Sequence, residues 1–400
     1  MTIRKFSILL CLLFITSQYT YSTKWSEALK RGSIDKTNFK STLEVEVYLG
    51  LIIVPVVING KTYRFLLDTG APFSISEKLQ DKFDFKQVSK GKIVDSEKNR
   101  TKVKYVQVDT TYISDIPFVN QTAIVGDFQA NPIIKCLNLD GILGSNLMRH
   151  CNWRIDYQDE IINLSDHQFT DSLTTSVSLT FHTDKQYNLL VNTKIHNKEF
   201  ITLKIDYGSN GSLTIPKGEF ESLLKNKELN NVYFNTGYSQ SGFVGEEIKN
   251  KSKIALLDSL SIEALVINNI KVTSGKSNLI GKAILSRYII TINWEKEELN
   301  FQPHDSIDYS YKSFGLQLGF SMKDKYYIQS VIENSEAYNK GIRPNMQIIK
   351  IDSMDFSNSH NYCDYIDFMD QANENMYIEF LSSDGSIQKI NLQKEELFTK

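Results

Sequence analysis

Short alternating runs of apolar and polar residues cover most of the chain and predict a mainly β protein. The runs are rich in Val, Ile, Thr, Tyr and Phe, and turns of Gly, Asn, Asp and Lys separate them. A period of two is typical of strands with one buried face. Three such strands are predicted at Leu51–Asn59, Val103–Ile113 and Ser176–His182. Helical patterns are few and short, and they lie at Glu77–Phe85, Glu219–Asn226 and Tyr362–Ala372.

An internal repeat underlies this pattern. The apolar run in "FLLDTGAP" ends on Asp68, and the run in "LKIDYGSN" ends on Asp206 in the same way. Gly144 follows Asp68 by 76 positions, and Gly281 follows Asp206 by 75. In both copies the last apolar strand ends 20 positions after that glycine. Matched spacing over such a length predicts two copies of one structural unit.

The repeated motif resembles the bacterial aspartic proteases of the pepsin and retropepsin kind. The resemblance rests on Asp68-Thr69-Gly70-Ala71 at the end of an apolar strand and on Ile142-Leu143-Gly144 further along, each with its counterpart in the second copy. It implies a bilobal acid-protease fold, with β-barrel lobes at residues 45–165 and 175–303 related by a pseudo-twofold axis. It also implies that the strand ending in glycine crosses beneath the aspartate loop, where close backbone approach suits glycine.

The resemblance implies an aspartic-type endopeptidase that acts on peptide or protein substrates without a metal or other cofactor. Asp68 and Asp206 are the implied catalytic pair. Two carboxylates in contact cannot both ionise cheaply, so they are expected to share one proton and to activate a water. The residues implied to support the two loops are Thr69, Gly70, Ala71, Gly144, Tyr207, Gly208, Ser209 and Gly281.

The second motif departs from the family pattern. The family has Thr or Ser after the aspartate, and its hydroxyl ties the two loops together; Thr69 fits this pattern, whereas Tyr207 does not. Either the second loop is displaced, or Tyr207 turns outward and the tie is one-sided. Ser209 has a hydroxyl that Ala71 lacks and could hydrogen-bond Asp206, so we expect Asp206 to be the anion and Asp68 to carry the proton.

The resemblance also implies a mobile flap over the substrate, and two hairpins are candidates for it. The stretch from Lys92 to Val108 reads as a hairpin with a polar tip at Glu97–Asn99, and Tyr105 is the candidate flap side chain. The equivalent in the second copy is "TGYSQSGFVGEE", whose glycines suggest mobility. An ordinary surface hairpin is the alternative interpretation of the first stretch, because closing loops vary widely in sequence.

The last part of the chain, residues 308–400, resembles a PDZ domain. The likeness rests on Phe314-Gly315-Leu316, on Ser335-Glu336-Ala337 and on the later "RPNMQIIKID". Such domains take an extended peptide as an added strand, and here Phe314, Gly315 and Leu316 are the implied binding loop for a free C-terminal carboxylate. The alternative is a domain of this shape that only packs on the protease.

The N-terminus reads as a signal peptide, residues 1–22, followed by an N-terminal segment, residues 23–44. Arg4 and Lys5 precede an apolar run from Phe6 to Ile15 that is shorter than the roughly 20 residues of a membrane span. The competing reading is a membrane anchor. Cleavage would leave no stable membrane span and would place the protein in the periplasm or outside the cell.

The cysteines leave two alternatives open. After cleavage Cys136, Cys151 and Cys363 remain, and export permits disulfides. Cys136 and Cys151 would close a modest loop, but three thiols cannot all pair within one chain. Buried free thiols are the other alternative.

Charge and motifs exclude several other classes. Lys plus Arg number 45 against 47 for Asp plus Glu, with no long run of one sign that would bind nucleic acid. The histidines show no metal-ligand spacing, and no Gly-x-Ser-x-Gly motif is present. Two alternatives to the protease remain: a non-catalytic peptide-binding protein with a degenerate second motif, and a scaffold in which the PDZ-like region does the work.

Overall fold

The structure, a computed structural model, describes residues 24–94, 100–169, 175–195, 199–239, 248–321, 325–356, 362–370, 373–382 and 384–398. Strands hold 56% of these residues and helices 13%, so the protein is mainly β, as the alternating pattern predicts. Within the described ranges no helix combines the length and apolar character needed to cross a bilayer. The predicted signal peptide lies outside these ranges.

Residues 24–165 contain the first repeat copy and the segment before it. The strands are β1 Ser33–Ile34, β2 Lys40–Glu44, β3 Glu46–Tyr48, β4 Leu51–Ile58, β5 Lys61–Asp68, β6 Ser74–Ser76, β7 Gln87–Val94, β8 Arg100–Ile113, β9 Ile116–Gly126, β10 Gly141–Gly144, β11 Asn152–Asp156 and β12 Ile161–Ser165. The helices are α1 Trp25–Ala28, α2 Glu77–Phe83, α3 Pro132–Cys136 and α4 Ser145–Met148. Strands β1 and β3–β10 form one sheet.

Residues 175–303 contain the second copy. The strands are β13 Val177–Thr180, β14 His182–Thr183, β15 Leu189–Ile195, β16 Glu199–Asp206, β17 Leu213–Pro216, β18 Leu229–Ser239, β19 Ile248–Ile262, β20 Leu265–Gly275, β21 Leu279–Gly281, β22 Tyr288–Asn293 and β23 Glu298–Pro303. The helices are α5 Lys217–Lys225 and α6 Lys282–Leu285. Buried side chains of both copies belong to one continuous apolar core.

The C-terminal region has a separate apolar core around Ile328, Ile351 and Phe380. The strands are β24 Lys312–Ser313, β25 Leu316–Ser321, β26 Lys325–Ile332, β27 Gln347–Ile351, β28 Met354–Asp355, β29 Asn375–Leu381, β30 Ile387–Gln393 and β31 Glu395–Glu396. The helices are α7 Glu336–Asn339 and α8 Tyr362–Asp370.

Helix α2 shows how local chemistry sets the helix ends. The Ser76 hydroxyl accepts the N–H of Leu79 at 3.2 Å and caps the first turn. Asp84, with a φ of 48°, ends the helix in the left-handed conformation. The helix therefore stops at Phe83, two residues before the predicted end. The other two predicted helices correspond to α5 and α8, and residues 371–372 lie outside the described ranges.

A six-stranded sheet joins the two copies, in the order β13-β23-β22-β11-β12-β2. At its centre β11 runs antiparallel to β22, with Trp153 opposite Ile292 and Ile155 opposite Ile290. The glycines of the repeat are 137 positions apart (281 − 144), so the repeat relates Trp153 to Ile290 and Ile155 to Ile292. Exchanging the two copies converts each of these pairs into the other. A twofold relation between the copies requires this register.

The C-terminal region is attached to the second copy by a strand ladder and by an apolar cluster. Strand β18 pairs with β26, with Asn235 opposite Ile332. Ile254 and Leu256 of β19 form a buried cluster with Leu397 and Phe398. The same sheet therefore continues from the second copy into the C-terminal region.

The disulfide differs from both alternatives that the sequence left open. Cys136 of α3 is bonded to Cys363 of α8, with a Cα–Cα distance of 5.1 Å, and Cys151 is a buried free thiol. Of the two alternatives, the pairing of Cys136 with Cys151 is therefore excluded, and a buried free thiol is found for Cys151 alone. Cys151 lies in the main core, whereas α3 lies against α8, and only cysteines whose Cα atoms lie close together can bond.

Candidate active site

Two buried strands carry Asp68 and Asp206 into the centre of the molecule. Phe65 and Leu67 on β5, and Leu203 and Ile205 on β16, are at most 1% exposed. β10 runs parallel to β5 and places Gly144 beside Asp68. β21 repeats this arrangement beside β16 and places Gly281 beside Asp206. Both copies thus end a buried strand on a carboxyl group at the same structural position.

The glycines of the neighbouring strands allow the aspartate loops to come close. A Cβ atom on Gly144 would lie 2.2 Å from the carbonyl carbon of Pro72. A Cβ atom on Gly281 would lie 2.4 Å from the carbonyl oxygen of Gly211. Since real Cβ atoms do not approach backbone so closely, each crossing requires glycine.

The two aspartates meet, and each lies against the loop of the other copy. A Cβ atom on Gly70 would lie 2.4 Å from Oδ2 of Asp206, and one on Gly208 would lie 2.4 Å from Cγ of Asp68. The charge of Asp206 acts directly on the carboxyl of Asp68 and raises its pKa. The structure therefore brings together the pair of aspartates predicted from the repeat.

The environment of Asp68 favours its protonated form. Burial, and then the charge of Asp206, raise the pKa of Asp68 to about 7, although Lys204 and a bond from the N–H of Gly70 act in the opposite direction. That N–H donates to Oδ1 of Asp68 at 2.7 Å. At mildly acidic pH the pair therefore holds a proton on Asp68.

Lys204 is a site residue that the sequence analysis missed. Its Nζ lies 3.0 Å from Oδ2 of Asp206 and donates to the carbonyl oxygen of Gly70 at 3.0 Å. Burial alone would lower the pKa of Lys204, but the charges of Asp206 and Asp68 raise it above its ordinary value. The signal was present in the sequence, because residues two apart on a strand share a face and the first copy has Leu66 at this position.

Thr69 ties the two loops together from one side. Its hydroxyl donates to the carbonyl oxygen of Ile205 at 2.7 Å and accepts the N–H of Tyr207 at 3.2 Å. Tyr207 does not turn outward, because its ring is 1% exposed and belongs to the main core. The Tyr207 hydroxyl is buried without a hydrogen-bond partner in the described structure. The tie is therefore one-sided, as the sequence suggested, but the ring is packed inside.

Ser209 does not have the role that the sequence suggested. Its hydroxyl accepts the N–H of Gly211 at 3.3 Å, and in the described structure Lys204, not Ser209, bonds the carboxylate of Asp206. Ala71 contributes its carbonyl oxygen, which accepts the N–H of Ser145 at 3.0 Å. The difference between Ala71 and Ser209 thus does not set the charge of the pair.

The first candidate flap is a hairpin of β7 and β8, and its predicted tip lies outside the described residues. Tyr105 is fully buried in a small cluster with Leu29, and its ring stacks on Trp25 with centroids 6.4 Å apart. Burial raises the pKa of Tyr105 to about 12. The role of Tyr105 as a flap side chain stays a prediction. In the second hairpin, β18 and β19, residues 240–247 lie outside the described ranges.

A cavity of about 630 Å³ lies where the C-terminal region meets the two copies. The C-terminal part of its lining includes β25 and α8, through Leu316, Leu318 and Tyr365. Asn210, four positions after Asp206, and Tyr238 of β18 belong to the facing part. Every lining residue is uncharged.

The predicted loop for a peptide carboxylate is only partly in this cavity. Leu316 lines it, whereas Phe314 is buried and the N–H of Gly315 donates to the Ser313 hydroxyl at 3.0 Å. No group of three or more His, Cys, Asp or Glu side chains suited to a metal ion occurs in the described part of the chain.

One part of the chain matches a known protein family. A family model described as aspartyl protease matches residues 54–147, which include Asp68 and Gly144. A search of curated proteins found no match. The family match supports a peptidase, and hence a peptide substrate, for a chain whose strands carry two facing aspartates.

Proposed function

We propose that the protein is an aspartic endopeptidase in which Asp68 and Asp206 share a proton and activate one water. The observation that carries the proposal is reciprocal contact: the glycine of each loop lies against the carboxyl of the other copy. A structural pair of aspartates would not need two matched strand ends, two matched glycine crossings and a shared loop tie. The family match to residues 54–147 supports the same activity.

The proposed chemistry follows from the unequal surroundings of the pair. Ionised Asp206, held by Lys204, takes a proton from the water as its oxygen attacks the peptide carbonyl carbon. Protonated Asp68 donates its proton to the carbonyl oxygen, which gives a neutral tetrahedral intermediate. The carbon–nitrogen bond then breaks as the leaving amine takes the proton from Asp206, one hydroxyl of the intermediate returns its proton to Asp68, and a new carboxyl remains on the other product.

The proposed organisation is two lobes, residues 45–165 and 175–303, in a bilobal acid-protease fold. The matched strand pairs at Asp68 and Asp206 and the symmetric register of β11 with β22 support it. Strands β1 and β2 of the N-terminal segment pair with β9 and β12, so this segment is integrated with the first lobe.

We further propose that residues 308–400 act as a PDZ-like region that selects or presents substrate. Strand β25 pairs with β26 and lines the uncharged cavity together with α8, so the cavity suits an extended peptide with apolar side chains. A free C-terminal carboxylate bound at Phe314, Gly315 and Leu316 is part of this proposal. A peptide in the cavity would lie beside Asn210, near the second aspartate loop.

Export to the periplasm or beyond is also proposed. The disulfide between Cys136 and Cys363 supports it, because such bonds persist in oxidising compartments. Mass spectrometry of the mature protein should find an N-terminus near residue 23. An intact residue 1 on the exported protein would contradict cleavage.

The decisive experiment measures cleavage of a mixed peptide library by the wild type, Asp68→Asn and Asp206→Asn. Wild type should give a bell-shaped pH profile, because one carboxyl must be ionised and the other neutral. The upper limb should fall near pH 7, where Asp68 loses its proton. Each Asn variant should be inactive, since an amide can neither accept the proton of the water nor donate a proton to the carbonyl oxygen.

Two results would decide against the proposal. Activity that survives in either Asn variant would show that the catalytic pair is misassigned. A wild type that binds peptides but cuts none at any pH would favour the non-catalytic peptide-binding protein. Asp81→Asn, a change on the surface helix α2, serves as the control and should keep full activity.

A further inference from the structure

Lys204 connects the two copies at the point where the aspartates meet. It lies on β16 of the second copy, yet it donates to the carbonyl oxygen of Gly70 in the loop of the first copy. The same ammonium lies 3.0 Å from Oδ2 of Asp206, and its side chain is 27% exposed. A cation in this position is specific to the second copy, because the first has Leu66 there.

The contact occurs where the second half of the loop tie is absent. Thr69 reaches from the first loop to Ile205 and Tyr207, but Tyr207 has no equivalent hydroxyl near the first loop and its ring is in the core. The bond from Lys204 to Gly70 runs in the missing direction, from the second copy to the first.

We propose that Lys204 is a positioning residue that replaces the missing half of the loop tie and keeps the negative charge of the pair on Asp206. This inference rests on the proposed function, since it assigns the two aspartates their separate roles. Lys204 acts through Asp206 and Gly70, and takes no part in bond making.

The charges around Lys204 determine the direction of its effect on the pair. The charged groups facing the Lys204 ammonium are Asp206 on its own strand, Asp68 at the end of β5 and Asp184 between β14 and β15. An ammonium at hydrogen-bonding distance stabilises the ionised form of Asp206 more than that of Asp68, which it reaches only through space. Removing the cation makes both ionisations of the pair harder, so both move to higher pH.

The test compares wild type with Lys204→Met, Lys204→Gln and Lys204→Arg in the full chain. Lys271→Met is the matched control, because Lys271 is also a half-buried lysine on a strand and its ammonium faces the ring of Tyr311. Two measurements are made on each protein: the pH profile of kcat/KM, and the ionisation of the aspartate carboxyls by carbon-13 NMR, assigned with the Asn variants.

In Lys204→Met and Lys204→Gln both limbs and both NMR ionisations should move up by about one pH unit, the low end of the effect of a neighbouring charge. Lys204→Arg should restore the wild-type profile, and Lys271→Met should leave it unchanged. Gln serves as the second variant if Met fails to fold.

Two results would overturn the inference. One is an unchanged titration in both uncharged variants, and the other is an Arg variant that shifts as far as they do. The NMR titration separates this inference from the proposed function. If the wild type cuts nothing, the proposed function fails, while the carboxyl ionisations still report whether Lys204 sets the charge of the pair.

Discussion

At the residue scale, the two aspartates occupy equivalent places in the repeat but have unequal surroundings. Asp68 accepts a hydrogen bond from the N–H of Gly70, and burial and the charge of Asp206 favour its protonated form. The carboxylate of Asp206 instead forms an ion pair with the ammonium of Lys204. A shared proton between identical sites would have no preferred position. In the proposed function, the difference between Lys204 and Leu66 would supply the asymmetry that a general acid and a general base require.

Two substitutions of Tyr207 are expected to change stability in opposite directions. Tyr207→Phe should raise stability by about 1 kcal/mol, because it removes a buried hydroxyl that has no hydrogen-bond partner in the described structure. Tyr207→Thr should lower it by about 3 kcal/mol, because the smaller side chain leaves a cavity in the main core. The thermal midpoints of the full-length variants measure both changes.

The two variants together test how the Tyr207 ring is packed and whether its hydroxyl has a partner. A threonine at this position would match the family pattern, but the ring of Tyr207 fills core volume that threonine cannot fill. A Tyr207→Thr protein as stable as wild type would show that the ring is not packed as described. A destabilised Tyr207→Phe would show that the hydroxyl has a partner.

At the scale of elements, the site depends on strands that end where their neighbours permit close approach. The strands β10 and β21 end in glycines, and these let the loops after Asp68 and Asp206 pass over them. The helices that follow, α4 and α6, then lead the chain into the central six-stranded sheet. Both copies therefore have an aspartate at a strand end and a glycine that lets the aspartate loop approach closely, and together these features bring the carboxyls into contact.

The contact between α3 and α8 determines which cysteines are bonded. A non-reducing peptide map should contain one cross-linked peptide pair, Cys136 with Cys363, and a free Cys151. The free thiol should react with alkylating reagents only after unfolding, because burial raises its pKa and blocks access. A cross-link between Cys136 and Cys151 would contradict the structure.

At the scale of the whole molecule, the regions distinguished in the sequence are physically joined. Strand β26 extends the sheet of the second copy through β18, and the residues Leu397 and Phe398 near the C-terminus cover Ile254 and Leu256. The cavity beside α8 also has residues of both copies in its lining. The proposed peptide capture and the proposed cleavage would therefore be coupled, because the cavity and the second aspartate loop share a lining residue, Asn210.

A chain ending at residue 307 tests this joining. We expect its thermal midpoint to fall by at least about 5 °C, because truncation exposes the apolar cluster on β19 and leaves β18 as a free edge. The matched control is full-length Cys363→Ser, which lacks only the disulfide. A truncated chain as stable as this control would show that the C-terminal region contributes nothing beyond the covalent link.

Much of the site could be predicted from the sequence because local patterns along the chain determine it. Alternation with a period of two indicates strands, an aspartate at the end of an apolar run marks a strand end, and equal spacing relates Asp68 to Asp206 and Gly144 to Gly281. Each of these features depends on neighbours along the chain, and so the mainly β class and the facing pair of aspartates were predicted correctly.

Other features depend on which segments meet in space, and only the tertiary structure decided them. Cys136 bonds Cys363 across 227 positions because α3 lies against α8. Tyr207 points into the core because the joined copies enclose it, and Lys204 finds Gly70 because the two loops meet. The sequence determines the chemical groups that each side chain offers. Which group becomes its partner depends on the distance between the two side chains, and the packing of the whole chain sets that distance.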